Sequence, residues 1–196
     1  MRAPRPAVFI DKDGTLVENV PWNVDPARLR FHPGALAALT ALAAAGHALV
    51  IVTNQAGLAE GRFTRAEFDA LRAALETRLH DEAGIRLAGF EVCPHAPAPD
   101  GTPACICRKP APGMLLRAAQ AERLDLAASW MVGDTLDDIE AAHRAGCRAI
   151  LLDTQGETLW RRGPGREPDA LVSHWDEVLD TILARHAAPA ATRQVA

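Results

Sequence analysis

Ala7-Val8-Phe9-Ile10-Asp11-Lys12-Asp13-Gly14-Thr15-Leu16 is an apolar run that ends in two carboxylates one residue apart and then a glycine turn. A short apolar run bounded by turn residues reads as a buried strand, so Asp11 and Asp13 stand where the backbone leaves a sheet. Two acids placed so closely repel each other unless a cation or protons neutralise them. A divalent metal meets that need, with one carboxylate as a candidate nucleophile.

Outward from this stretch, short apolar runs alternate with helical patterns, as in an α/β fold with a mostly parallel sheet. Pro33-Gly34 opens a helix with Leu36, Leu39 and Leu42 on one face, and Gly46 stops it. Strands are expected over 47–53, 89–93, 130–132, 148–152 and, at an edge, 170–172. Thr64 and Glu67 have the spacing of a capping box, ahead of Phe68, Leu71, Leu75 and Leu79 at helical intervals. Further helices are expected over 113–123, 135–145 and 175–186, with a Pro-rich loop over 94–112 and an irregular loop over 156–168. The pattern contains no internal repeat and no second domain: residues 1–187 read as one unit and 188–196 as a disordered tail.

Asp11, Thr53, Cys93 and Asp134 each fall at the C-terminal end of an expected strand. Parallel sheets bind ligands outside those ends, at the switch point in strand order. Four chemically capable residues would then share one rim. Val52-Thr53-Asn54-Gln55 offers a hydroxyl and backbone N–H groups to a phosphate, although the same residues also serve as an ordinary polar turn. Arg108-Lys109-Pro110 can offset phosphoryl charge through the lysine and grip a second phosphate through the arginine. In Gly133-Asp134-Thr135-Leu136-Asp137-Asp138, Asp134 is a natural oxygen ligand for Mg²⁺. Asp138 is read as holding a metal-bound water or pairing with Lys109. Asp137 is read as N-terminal helix charge.

Three of the four cysteines form a cluster, Cys93-Pro-His95 with Cys105-Ile-Cys107, which matches a closed tetrahedral Cys₃His zinc site. A loop with little to bury would take its order from the ion, so this zinc is structural. Cys147 reads as a buried small hydrophobe, and Trp130, Trp160 and Trp175 as packing. His32, His47, His80, His143, His174 and His186 lack partner spacing and read as surface or core residues.

The 196 residues are 48% hydrophobic and 23% charged with a net charge of −4, which suits one globular domain without the basic footprint of a nucleic-acid binder. No apolar segment is long enough to span a membrane, and cysteines used for metal rather than disulfides suit a reducing compartment. The expectation is a cytoplasmic monomer.

With these motifs in this order, the chain resembles the haloacid dehalogenase (HAD) superfamily, and within it the heptose bisphosphate phosphatases, close to the histidinol-phosphate phosphatases. Asp11-Lys-Asp-Gly-Thr, Thr53-Asn54-Gln55, Cys107-Arg108-Lys109-Pro110 and Gly133-Asp134-x-x-x-Asp138 match its motifs one to four. Trp22-x-x-Asp25-Pro26, Phe31-x-Pro33-Gly34, Gly61-x-Phe63-Thr64 and Arg108-Lys-Pro-x-Pro-Gly-Met114 look like the heptose branch. This chain carries Pro21-Trp22 where the family commonly has Gly-Tyr, Glu60 where arginine is frequent, and Thr135 where lysine is common.

The resemblance implies a three-layer Rossmann-like fold with no large cap domain, and a phosphorylated sugar as substrate. It implies Asp11 as nucleophile and Asp13 as general acid and base. Mg²⁺ would be held by Asp11, Asp134 and the backbone carbonyl of Asp13, while Thr53 and Lys109 stabilise the phosphoryl group. Asn19, Trp22, Asn54, Gln55 and Arg108 would bind substrate. Rival readings are a histidinol-phosphate or broad sugar phosphatase and, in another class, a zinc-stabilised interaction module without catalysis. The complete set Asp11, Asp13, Thr53, Lys109 and Asp134 argues against the module, and the absence of a large cap against a phosphomutase.

Overall fold

In the computed structural model, which describes residues 3–98, 104–156 and 161–186, the strand before Asp11 lies at the centre of the sheet. Strand β1 (Ala7–Ile10) is wholly buried and pairs in parallel with β2 (Ala48–Asn54) on one side and β4 (Trp130–Gly133) on the other. With β3 (Gly89–Cys93), β5 (Arg148–Leu152) and β6 (Ala170–Val172), the order is β3-β2-β1-β4-β5-β6, every pair parallel. Parallel strands need crossovers, and here helices cover both faces, which is why the central strands are continuous apolar runs.

The period-2 rule then divides the core. Val8, Ile10, Leu49, Ile51, Trp130 and Val132 face one layer, where Leu39 and Leu42 of α1 (Ala35–Ala44), Leu71, Leu75 and Leu79 of α2 (Arg65–Ala83), and Trp175, Val178 and Ile182 of α5 (Trp175–His186) pack. Phe9, Val50, Val52 and Met131 face the other, against Met114 and Leu115 of α3 (Gly113–Glu122) and Leu136 and Ile139 of α4 (Leu136–Ala145). Two cores thus sandwich one sheet, and the C-terminal strand ends form a single rim.

The chain builds β2 and β3 outward on one side of β1, then crosses back to place β4 on the other. This reversal, between β1 and β4, is the switch point where the loops diverge and leave a crevice. Local chemistry fixes the helix entrances around it. Thr64 accepts from the Glu67 N–H at 3.2 Å while the Glu67 carboxylate takes the Thr64 N–H at 2.7 Å, completing the expected capping box. A second box that spacing alone did not reveal, Thr135 with Asp138, starts α4 at the rim itself. Gly84 and Gly146 end α2 and α4 in the left-handed region.

Helix and strand limits agree with the sequence expectations to within a residue or so, and short 3₁₀ turns at Pro26–Arg28, Ala56–Leu58 and Leu126–Ala128 are additions. Between β1 and β2 the described chain holds only loop, one 3₁₀ turn and α1, so no large cap covers the site. Trp130 and Trp175 are buried as expected, and the Trp175 Nε1–H donates to the Thr15 carbonyl at 3.1 Å, tying α5 to the turn after Asp13. His143 has partners its spacing did not announce, the Gly165 carbonyl at 2.8 Å and Asp169 at 3.0 Å. Trp160 and the 188–196 tail lie outside the described residues. No described helix is long and apolar enough to cross a membrane.

Candidate active site

Asp11 is the first residue beyond β1, and its N–H still donates to the Val132 carbonyl at 3.0 Å, so the β1–β4 ladder holds its backbone. The chain then leaves strand geometry and turns at Gly14 (φ 89°), where the Gly14 N–H bonds the Val17 carbonyl at 2.8 Å. That turn sends the two acids to different partners. Asp11 Oδ1 meets the Lys109 ammonium, whereas Asp13 takes the Lys12 ammonium on Oδ1 at 2.5 Å and the Gln55 amide on Oδ2 at 2.8 Å.

Lys109 is buried and also contacts Asp138 Oδ1 at 2.5 Å and donates to the Val52 carbonyl at 3.1 Å. Its backbone is held from both sides by Asn54, which donates to the Lys109 carbonyl at 3.2 Å and accepts from its N–H at 3.1 Å. These bonds join the end of β2 to the Lys109 loop, and Asn54 also lines the cavities described below. Gln55, expected like Asn54 to bind substrate, gives its Nε2 to Asp13 and to the Thr53 hydroxyl at 2.9 Å. Asp137, read as helix charge, pairs with Arg166 at 2.7 Å.

Asp11, Asp134 and Asp138 bring one carboxylate oxygen each to within 4.8 Å of one another. Burial, and then the charges of Asp138, Asp134 and Asp13, drive Asp11 well above the ordinary carboxylate range against the pull of Lys109. Burial and Asp138 push Asp134 up to about 7, opposed by Lys109 and a 3.2 Å hydrogen bond from Thr15. Burial opposes the Lys109 charge, but Asp11 and Asp138 together hold its ammonium above its usual value. Three carboxylates against one ammonium leave two negative charges, which one divalent cation would match. A hard oxygen donor set of this kind suits Mg²⁺. A Cβ at Gly14 or at Gly156 would collide with the Asp134 carboxylate, so both glycines keep that oxygen clear. Gly156 carried no local signal, since its role depends on the return of the loop after β5.

Two adjoining cavities open above the rim. One, about 360 Å³, is lined by Asp11, Thr53, Arg108, Lys109, Asp134 and Asp138. The other, about 310 Å³, is lined by Pro21, Trp22, Gln55 and Ala56 among others. Asp13, Asn19 and Asn54 line both, so they form the shared wall. Trp22 is half-exposed at φ 57°, a region bulky residues rarely adopt, and its ring lies where any side chain at Gly57 would collide. The Arg62 guanidinium lies 5.4 Å from the Trp22 ring centroid, a cation–π partner that spacing did not reveal.

Beside these cavities, Cys93, His95, Cys105 and Cys107 converge as expected. Their Sγ and Nδ1 atoms are 3.2–3.6 Å apart. A tetrahedron with Zn–S bonds of about 2.3 Å has edges of roughly 3.5–3.8 Å, so the four donors already outline a zinc site. Burial pushes the Cys93 thiol up to about 12. Burial likewise opposes ionisation of Cys105, but hydrogen bonds from Cys107 and the Arg108 N–H bring it down to about 7. Thiols so crowded ionise together only around a cation. The Arg108 N–H donates to Cys105 Sγ at 3.3 Å and its guanidinium to the His95 carbonyl at 3.3 Å, so the cluster positions Arg108 and the adjoining Lys109.

Comparison with known proteins agrees with this geometry. Residues 106–178 match the HAD-hydrolase-like family model. The chain is 39% identical to the D-glycero-β-D-manno-heptose-1,7-bisphosphate 7-phosphatase of Escherichia coli K12, over 79% of this chain and 82% of that protein. It is also 39% identical to the enzyme of the same name from Yersinia pestis, over 81% and 85%. Among solved structures, the D,D-heptose 1,7-bisphosphate phosphatase from B. bronchiseptica, complexed with magnesium and phosphate, superposes with a TM-score of 0.76 at 30% identity, covering 92% of this chain and 99% of that one.

Two outcomes are expected. Below about pH 7 the Asp134 carboxyl holds a proton that Mg²⁺ must displace. Mg²⁺ affinity measured by titration calorimetry should therefore fall about tenfold between pH 8 and pH 6 and level off above pH 8; a flat profile would show that no site proton is displaced. Metal analysis should find about one zinc per chain, and its removal by a strong chelator should lower the Tm by about 5 °C or more and reduce kcat. A zinc-free protein of unchanged Tm would remove the structural site.

Proposed function

The chain belongs to the D-glycero-β-D-manno-heptose-1,7-bisphosphate 7-phosphatase family of HAD-like hydrolases, and from that membership we propose that it is a Mg²⁺-dependent phosphatase removing the 7-phosphate of a heptose 1,7-bisphosphate. The observation that carries the residue roles is the separation of the two acids. Asp11 lies with Lys109 and Thr53 in one cavity, and Asp13 stands on the wall shared with the next. A phosphoryl group in the first and a sugar in the second would put the bond to be broken beside Asp13.

The Asp11 carboxylate attacks phosphorus in line, opposite the sugar oxygen. Asp13 gives that oxygen a proton as its bond to phosphorus breaks, and the Asp11 acyl phosphate remains. Asp13 then takes a proton from water attacking the same phosphorus, which releases inorganic phosphate and restores Asp11. The buried Thr53 hydroxyl holds an equatorial oxygen, and the Lys109 charge lining the same cavity offsets the negative charge that builds on these oxygens in the transition state. Lys109 occupies Asp11 Oδ1, which orients the carboxylate for attack. Bound at Asp11, Asp134 and the Asp13 carbonyl, Mg²⁺ would supply Lewis-acid polarisation of a phosphoryl oxygen. Asp138 keeps Lys109 charged in this arrangement.

Arg108, fixed by the cysteine cluster and lining the first cavity, suits the second phosphate of a bisphosphate by two parallel hydrogen bonds. Trp22 and Asn19 offer the sugar an aromatic face and an amide. We place the reaction in the cytoplasm, where thiols stay reduced for zinc.

The test is phosphate release with Mg²⁺ from the β and α anomers of heptose 1,7-bisphosphate and from histidinol phosphate. The β anomer should lead histidinol phosphate by a hundredfold or more in kcat/KM, about 2.7 kcal/mol of transition-state binding. Comparable slow rates on all three would leave the chemistry and refute the substrate.

A further inference from the structure

Gln55 is buried and lines the second cavity, and its amide is already engaged. One Nε2 donates both to Asp13 Oδ2 at 2.8 Å and to Thr53 Oγ1 at 2.9 Å. Its backbone cannot drift. The Gln55 N–H bonds the Cys93 carbonyl at 2.8 Å, continuing the β2–β3 ladder, and its carbonyl accepts from Leu58 in the 3₁₀ turn that follows. Asp13, by contrast, lies past the end of β1 on a turn, with a side chain 31% exposed. A short side chain in that position has several rotamers open to it, and proton transfer needs one of them, held to a fraction of an ångström.

We propose that Gln55 is a positioning residue for proton transfer: its amide, anchored on Thr53 and on the sheet edge, aims the Asp13 carboxylate at the wall between the two cavities. Lys12 holds the other oxygen, so each carboxylate oxygen of Asp13 has its own donor. Thr53 is the acceptor in its bond to Gln55, which leaves the hydroxyl hydrogen available to a phosphoryl oxygen. Loss of Gln55 therefore disturbs Asp13 and spares the phosphate contacts. This role rests on the reading of Asp13 as general acid. It differs from a sugar contact for Gln55, because it acts on substrates that carry no sugar.

The test compares phenyl phosphate with p-nitrophenyl phosphate, two probes of similar size whose leaving oxygens differ in their need for a proton. The full-length protein is assayed with Mg²⁺ as wild type, Gln55→Met and Gln55→Glu, both close to Gln in size and both lacking the amide donor. Asp13→Asn is the reference. The expected result is a loss of kcat/KM about tenfold greater for phenyl phosphate than for p-nitrophenyl phosphate in both Gln55 variants, in the same direction as Asp13→Asn. Two variants of equal size guard against one that fails to fold, which the melting curve reports. Equal losses on the two aryl phosphates, with Asp13→Asn discriminating between them, would overturn the proposal alone. So would unchanged aryl rates with a raised KM for heptose bisphosphate, which is the mark of a sugar ligand. If Asp13→Asn itself fails to discriminate, the general-acid reading falls first.

Discussion

A single buried ammonium organises the rim of this sheet. Lys109 touches Asp11 beyond β1, the Val52 carbonyl in β2 and Asp138 in the first turn of α4, so three elements on either side of the switch point share one cation. Removing a lysine from water is costly, and the contact persists because Asp11 and Asp138 are themselves buried and would be left as uncompensated charges without it. Asn54 fixes the lysine backbone, and the cysteine–histidine cluster fixes the residue before it. The arrangement is therefore set by charge balance as much as by packing.

That balance is deliberately incomplete on the side of Asp134. Burial, with one ammonium for three carboxylates, holds Asp134 at about 7 and raises Asp11 as well, a state that a divalent cation would relieve. Asp13 has other partners, because the chain leaves strand geometry after Asp11 and Gly14 turns it toward Lys12 and Gln55. Two acids one residue apart thus enter different surroundings. That difference is what the proposed division into nucleophile and proton donor requires.

Much of this could be read from residues close together in the chain. The run from Ala7 to Asp13, the helical spacing of Phe68 to Leu79, and the Thr64–Glu67 box are local patterns that the fold repeats without distortion. The Cys-x-His and Cys-x-Cys pairs likewise declared their chemistry by spacing. What stayed hidden depends on contacts between segments far apart. The Asn54 amide spans 55 positions to reach Lys109, and Gln55 spans 42 to reach Asp13. Both residues sit in a motif that reads as a phosphate cradle, and only the returning loops bring their side chains to Lys109 and Asp13. Gly156 against Asp134, and Arg62 over Trp22, are of the same kind.

The central claim is that Asp11, oriented by Lys109, carries the phosphoryl group between substrate and water. Rapid acid quench of turnover, followed by mass spectrometry of peptides, tests it most directly. A phosphoryl group is expected on the peptide containing Asp11 and none in Asp11→Asn. Turnover at the normal rate in Asp11→Asn, or phosphate trapped on any other residue, would contradict it.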